Sequence, residues 1–215
     1  KKLFEVPMNN STPLRNALKW VGEEYSSTSS TGPWGPGSGN SQISCRQSFA
    51  ILTTDGYYNG PSPDVGNIDN SIGPLHEHPS GDPKKNEQYE PEEPYKDSYS
   101  NTLADVALKY WMNDLRDNLD NNVPVARDSG NPAFWQHMVT YGVSIGVKGN
   151  KDPAVDEPGG WADPTSNNGA KIDDLWHAAV NGRGEFIPAS KPDEFTQALS
   201  DALSSISERV GTASN

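Results

Sequence analysis

The residues with the clearest chemical potential follow a short apolar run in the first third of the chain. Thr53, Thr54 and Asp55 place two hydroxyl groups and a carboxylate directly after residues 49–52, and Gly56 then lets the backbone turn sharply. Four consecutive apolar residues predict a strand buried on both faces, because a half-exposed strand alternates. Ligands of open parallel sheets bind beyond the carboxyl ends of the strands, so Asp55 lies where a site is expected. The alternative is that Asp55 and Gly56 only form a turn.

The four histidines give weaker evidence for a functional site than Asp55 does. His76 and His78 flank Glu77 and would point to one side of an extended segment, which is one arrangement for a metal site, but no further group of ligands accompanies them. His137 and His177 each lie beside a tryptophan in an apolar segment, which indicates packed, hydrogen-bonded side chains. No serine-histidine triad, glycine-rich phosphate loop or close pair of acids stands out. The sequence therefore predicts that the protein is not an enzyme.

The composition limits the classes of partner. The 215 residues include 29 acids and 17 bases, and the net charge of -12 repels nucleic acid phosphates and anionic lipid surfaces. Cation binding or an extracellular surface suits this charge better. No stretch of about 18 apolar residues predicts a membrane span, and the N-terminus lacks a signal-peptide core, although a leader could have been removed. Cys45 is the single cysteine, which indicates a buried free thiol or a partner outside this chain.

Four helices are predicted to position these residues. Thr12 and Pro13 are typical of an N-cap followed by the first helical residue. Ser190 is predicted to cap the last helix, with Asp193 completing a capping box. Apolar residues at helical spacing define the remaining bounds. The helices are predicted at about residues 12–25, 101–119, 172–181 and 190–210.

Two further strands are predicted after the first. Residues 139–147 alternate bulky residues with small ones, so one face is nearly bare and a helix can approach it closely. Residues 184–189 form a short strand, which Pro188 assigns to the edge of the sheet because proline cannot donate to a ladder. The alternation of helices and strands predicts a doubly wound α/β fold with a mostly parallel sheet covered on both faces. The apolar first strand should be central, so a complete sheet needs more strands than this chain supplies.

Three long loops are predicted to lie on the surface of a single partial domain that covers residues 1–210, with a tail at 211–215. The first, residues 26–44, is rich in Ser and Gly, and Trp34 in it either holds the loop on the protein body or contacts a partner or a sugar. The second, residues 60–98, carries nine acids and three lysines and is called the acidic insertion below. Its few apolar residues predict little regular structure. The third spans residues 148–170, with Trp161 as its anchor.

Five ordered segments of the chain resemble a known family. They read CRQSFAILTTDGYYNG, PYKDSYSNTLADVALKYW, DLRDNLDNNVP, FWQHMVTYGVSIGV and KIDDLWHAAVNGRGEFIPAS. Together they are similar to the C-terminal part of the von Willebrand factor A-like domain of the PilY family, the type IV pilus tip-associated adhesin and assembly proteins. One departure is Tyr58, where the family often has tryptophan.

The resemblance implies a metal-ion-dependent adhesion site at the carboxyl edge of a doubly wound sheet. Such a site takes ligands from an Asp-x-Ser-x-Ser loop, a threonine of a second loop and an aspartate of a third. By motif, Thr12 matches the threonine and Asp55 the last aspartate. This sequence contains no Asp-x-Ser-x-Ser, and the strands that accompany that loop in the family are also missing from it. A cation such as Mg²⁺, Mn²⁺ or Ca²⁺ is therefore implied for the complete domain. This chain alone is expected to bind such an ion weakly or not at all, because about six oxygens are needed.

Two functions follow from the resemblance as hypotheses. The first is an adhesin domain at the tip of a type IV pilus on the bacterial cell surface, with a host or surface ligand, pilins or minor pilins, and the upstream part of the same protein as partners. The alternative is a structural module of a pilus or surface filament that makes protein contacts without metal. An open edge strand would suit the second hypothesis, because unpaired edges recruit strands from other chains.

Overall fold

The computed structural model describes residues 12–126 and 130–212. Within these residues the chain forms four α-helices and five strands, with short 3₁₀ helices at Gly39–Ser41 and Pro83–Lys85. In chain order the elements are α1 (Leu14–Tyr25), β1 (Ser48–Thr54), β2 (Leu75–His76), β3 (Glu87–Gln88), α2 (Leu103–Met112), β4 (Met138–Ile145), α3 (Asn168–Asn181), β5 (Arg183–Ala189) and α4 (Pro192–Thr212).

The main sheet is parallel, with the strand order β1-β4-β5. This arrangement confirms the predicted open α/β fold and places β5 at an edge. Among the described residues β1 pairs with β4 alone, and β4 is the middle strand. The outer edge of β1 is therefore open, as expected of a sheet that needs more strands than this chain supplies. Phe49, Ile51 and Leu52 remain partly exposed for the same reason, since no described strand covers the outer edge of β1.

Helices cover both faces of the sheet. Met138 of β4 packs in one core cluster with Leu103 of α2 and Leu175 of α3, and residues of α1 join the same cluster. Tyr141 points to the opposite face and packs with Ala202 of α4. The small residues of β4 allow the close approach that the sequence predicts. A Cβ atom added at Gly142 would lie 3.1 Å from both Cγ and the carbonyl oxygen of Leu175.

The helix boundaries differ from the prediction at four places, of which the start of α1 bears on the site. One of them is α3, which begins at Asn168 rather than near residue 172, because the side chain of Asn167 caps it by accepting the amide of Ala170. The N-cap residue of α1 is Pro13, which makes no side-chain cap hydrogen bond, so the assignment of Thr12 as N-cap is wrong. Helix α4 begins at Pro192, and the amide of Ser190 donates to Glu194 rather than to the predicted Asp193. The residue before a proline is disfavoured in the helical region, which agrees with α4 starting at Pro192 and leaving Lys191 outside the helix.

Helix α2 is the fourth difference, because it ends at Met112 rather than near residue 119. The side chain of Asn113 donates to the carbonyl of Lys109 at 2.7 Å, and the backbone of Asn113 is extended. Leu115 then donates its amide to Gln136 at 2.8 Å, so the chain turns towards the start of β4. Tertiary hydrogen bonding therefore stops a helix that the apolar periodicity would continue.

The long loops are held by buried tryptophans. Trp34 is fully buried and its indole nitrogen donates to the carbonyl of Tyr25, which confirms that it holds its loop on the protein body. Trp161 is buried as well and donates to the carbonyl of Pro94 at 2.7 Å. The acidic insertion has little regular structure, as predicted, apart from the antiparallel pair β2–β3 and one 3₁₀ turn. Cys45 is exposed in the turn before β1, so the expected buried thiol is wrong.

None of the helices in the described part of the chain has both the length and the apolar character needed to cross a membrane.

Candidate functional site

Asp55 lies at the carboxyl edge of the sheet, as the sequence predicts. Strand β1 ends at Thr54, which pairs with Ser144 near the end of β4, and Asp55 follows with its side chain exposed. The hydroxyl of Thr54 donates to the carbonyl of Gly56 at 2.9 Å and accepts the amide of Gly56 at 3.2 Å. These two hydrogen bonds hold the turn without the carboxylate of Asp55, which therefore faces solvent and is accessible to a ligand.

Thr12 is brought to the same edge by its backbone. Its amide donates to Oδ1 of Asn59 at 2.7 Å, and its carbonyl accepts the amide of Asn59 at 3.0 Å. Asn59 follows Asp55 by four residues in the loop after β1. Two hydrogen bonds thus join the start of α1 to this loop, and the segments that carry Thr12 and Asp55 lie side by side.

A buried carboxylate links this loop to two helices. Oδ2 of Asp174, on α3, accepts the hydroxyl of Tyr58 at 2.5 Å and the amide of Leu103 at 2.9 Å, and Oδ1 accepts the amide of Ala104 at 3.1 Å. Asp174 therefore neutralises the positive end of α2 from a neighbouring helix. Burial raises the pKa of Asp174, and these hydrogen bonds oppose the rise. The tyrosine that departs from the family pattern thus supplies one of its hydrogen bonds.

The acidic insertion is fastened to α2 by a second buried carboxylate. Asp105 forms the capping box of α2 with Thr102, which was not predicted. Its Oδ1 also accepts the amide of Ile68, in the insertion, at 2.6 Å. Burial raises the pKa of Asp105 to about 6 although its hydrogen bonds oppose the shift. Both oxygens of this carboxylate have partners.

A third buried group lies where the insertion meets α3, and sequence reasoning missed it. One nitrogen of His177 and one oxygen each of Asp69 and Asp97 lie within 4.8 Å of one another. Nδ1 of His177 is 3.5 Å from Asp97, and Nε2 is 3.7 Å from Asp69. Burial raises the pKa of Asp69 to about 8, with the charges of Asp97 and Asp105 adding to the effect. Asp69 and Asp97 both lie in the predicted acidic insertion, but nothing in the sequence paired them with a distant histidine.

The other histidines do not form a metal site. His76 is buried and stacks on Trp135 with ring centres 3.7 Å apart, while Nε2 bonds to the carbonyl of Met112. His78 is exposed and bonds to Ser80. Among the residues that the structure describes, the only group of three potential metal ligands is Asp69, Asp97 and His177. The hypothesis of a metal site at residues 76–78 is therefore not supported.

His137 is packed and hydrogen-bonded, as predicted. Nδ1 bonds to the carbonyl of Trp135 at 2.7 Å, and Nε2 lies 2.9 Å from the amide nitrogen of Asn131. The other end of that amide, Oδ1, accepts the indole N–H of Trp111 and the amide of Ala133, which fixes its orientation. Nε2 therefore accepts a hydrogen bond from the N–H of Asn131 and carries no proton itself. Burial lowers the pKa of His137 to about 4.

Comparison with known proteins supplies the family context. The chain is 36% identical over 236 residues to the type IV pilus biogenesis factor PilY1 of Pseudomonas aeruginosa strain PAK, a match that covers 95% of this chain. It is 34% identical over 244 residues to the protein of the same name from strain UCBPP-PA14, and that match covers 99% of this chain. The resemblance to PilY proteins is confirmed.

The similarity to PilY1 has a defined extent. The chain spans 20% of the length of these relatives. Because the match to the UCBPP-PA14 protein takes in nearly the whole chain, it extends over both the edge that carries Asp55 and the buried cluster around His177. No family profile and no solved structure matches the chain.

Proposed function

We propose that this chain is a von Willebrand factor A-type part of a type IV pilus biogenesis protein and acts in adhesion at the pilus tip, on the bacterial cell surface. The similarity to PilY1 across almost all of the chain is the observation that carries the proposal. The open parallel sheet with helices on both faces supports it, because such sheets bind ligands at the carboxyl ends of their strands. The proposed role is binding, with a host or surface ligand and pilins or minor pilins as partners.

Thr12 and Asp55 are the residues of this chain that would take part in a metal-ion-dependent adhesion site. A hydroxyl and a carboxylate are the hard oxygen donors that Mg²⁺, Mn²⁺ and Ca²⁺ prefer, so the donor chemistry fits. They supply at most two of about six ligands, and the rest must come from other residues. When bound, the cation would offer a coordination position to an acidic group of the adhesion ligand. The chain's own contribution is a turn held by Thr54 that keeps the carboxylate of Asp55 exposed.

The test is the Asp55→Ala substitution in the full-length protein. Attachment of cells to a surface should lose its dependence on divalent cations, measured with and without EDTA. A matched control is Asp201→Ala, because Asp201 is an exposed aspartate on α4, which packs on the opposite face of the sheet from α1 to α3. The control should attach as the unmodified protein does. Unchanged, metal-dependent attachment of the Asp55→Ala protein would show that Asp55 has no such role.

A second candidate is an assembly module that makes protein contacts without metal. The observation in its favour is the outer edge of β1, which has no strand partner among the described residues. Such an edge presents backbone groups to which a strand of another chain can pair. Size-exclusion chromatography of the 215-residue chain tests this candidate, since edge pairing predicts association with rising concentration. A monomer at all concentrations argues against pairing through this edge.

A further inference from the structure

The cluster of Asp69, Asp97 and His177 contains buried polar atoms without hydrogen-bond partners. Oδ2 of Asp69 and Nδ1 of His177 are both buried and have none. The neighbouring carboxylates differ, because both oxygens of Asp105 and of Asp174 accept hydrogen bonds. Buried polar groups are almost always satisfied, so two unsatisfied atoms in one cluster indicate a missing partner.

The hydrogen bonding of His177 defines which nitrogen is available. Nε2 lies 2.7 Å from the carbonyl oxygen of Tyr95, which can only accept, so Nε2 carries a proton. In the neutral ring Nδ1 then has a lone pair, and this lone pair faces Oδ2 of Asp97 at 3.5 Å. Two acceptors in such a position repel each other unless a positive charge lies between them. A histidine that donates one N–H to a backbone carbonyl and uses its other nitrogen as a ligand is the usual arrangement in metal sites.

We propose that Asp69, Asp97 and His177 bind a divalent transition metal ion such as Zn²⁺, and that this ion fastens the acidic insertion to α3. The separation of 3.5 Å between Nδ1 and Oδ2 of Asp97 matches that of neighbouring ligands around Zn²⁺, whose bonds are about 2.1 Å long. Asp69 lies within 4.8 Å of the other ligand atoms, but its shortest contact, 3.7 Å, is to Nε2, so its carboxylate must move towards Nδ1 to complete the ligand set. The ring of Trp161 stacks on the imidazole at 4.5 Å and shields one face of His177 from water. The ion would also offset part of the negative charge that the insertion brings to the protein.

The donor set selects the class of ion. Two carboxylates alone would suit Mg²⁺ or Ca²⁺, but an imidazole nitrogen favours Zn²⁺ and similar transition metals. The site is separate from Thr12 and Asp55 and takes all three ligands from described residues of this chain. The expectation that the chain alone binds an ion weakly or not at all was made for Thr12 and Asp55, and this proposal concerns a different set of residues.

Metal content measures the proposal directly. The purified protein that contains this chain is stripped with EDTA, loaded with Zn²⁺ in excess Mg²⁺, and desalted before mass spectrometric determination of bound zinc. Asp97→Asn is the first variant, because an amide oxygen can still accept the amide of Tyr99, as Oδ1 of Asp97 does at 2.7 Å. His177→Gln is the second. Each should retain one equivalent of zinc less than the unmodified protein.

Two controls separate this site from other histidines and from the proposed adhesion site. His78→Gln changes an exposed histidine and should keep the full zinc content. Asp55→Ala should keep it as well, so failure of the adhesion proposal and failure of this one are distinguishable. Equal zinc content in all five proteins would overturn the proposal.

A spectroscopic measurement on the unmodified protein avoids any loss of folding in the variants. In nitrogen-15 NMR spectra, Zn²⁺ should shift the resonance of Nδ1 of His177 while Nε2 stays protonated. If both nitrogens of His177 carry protons and neither responds to Zn²⁺, the ring is an imidazolium paired with Asp97, and the metal site is excluded.

Discussion

Acidification should destabilise the fold through His137. The ring must stay neutral, because Nε2 accepts a hydrogen bond from an Asn131 amide that Trp111 and Ala133 hold in place. A proton on Nε2 would point at the N–H of Asn131 and would have no hydrogen-bond acceptor. Arg209 of α4, Arg183 of β5 and His76 also disfavour the charged ring, after the larger effect of burial.

The magnitude follows from the two pKa values of His137. In the unfolded chain the pKa is 6.5, and burial lowers it to about 4 in the fold. The unfolded state therefore binds a proton below about pH 6.5, whereas the folded state binds it only below about pH 4. The stability that the neutral ring contributes is present above the unfolded pKa and is lost as the pH falls towards the folded one. Between about pH 7.5 and pH 5 the loss is about 2 kcal/mol.

The assay is urea denaturation across this pH range for the unmodified protein and for His137→Gln. Buried carboxyl groups with raised pKa values, such as Asp174, change stability in the opposite direction, so only the difference between the two curves isolates His137. The variant should be less stable near neutral pH and should lose about 2 kcal/mol less on acidification. The exposed His78→Gln control should follow the unmodified protein. Parallel curves for the unmodified protein and His137→Gln would refute the reasoning.

Two substitutions test the packing that positions the candidate edge, both by chemical denaturation near neutral pH. Tyr58→Phe removes the hydroxyl that donates to buried Asp174, so the free energy of unfolding should fall by about 1.5–3 kcal/mol, and an unchanged value would show that this hydrogen bond contributes nothing. Gly184→Ala would place a Cβ atom 2.1 Å from the carbonyl oxygen of Thr140. Because β5 must then move away from β4, we expect a loss of about 1–3 kcal/mol or more. The control is Gly56→Ala, where nothing lies within 4 Å of the added atom and little change is expected; equal stability of the two alanine variants would contradict this account.

Local patterns were enough to predict most elements of the fold. The apolar run at residues 49–52 predicted β1, and the turn residues after it predicted the position of Asp55 beyond the end of the strand. Alternation in residues 139–147 gave β4, and Pro188 gave an edge strand. These predictions succeeded because strand and helix periodicities depend on neighbouring residues alone. The burial of Trp34 was also predicted from its local sequence, because removing a large apolar ring from water is favourable.

Other features depended on contacts that no local pattern records. The early end of α2 comes from the hydrogen bonds of Asn113 and Leu115, the second of which joins distant segments. The order β1-β4-β5 likewise depends on which strands pair, and the sequence of one strand does not specify its neighbours.

The sequence by itself determined the fold class, the resemblance to PilY proteins and the place of Asp55 after a strand. Only the tertiary structure decided that Asp69, Asp97 and His177 meet, because the acidic insertion folds back over α3. It also decided that Asp174 caps a helix other than its own. The physical reason is the same in both cases. Burial makes unsatisfied polar groups costly, so the fold brings together partners that are remote in the chain.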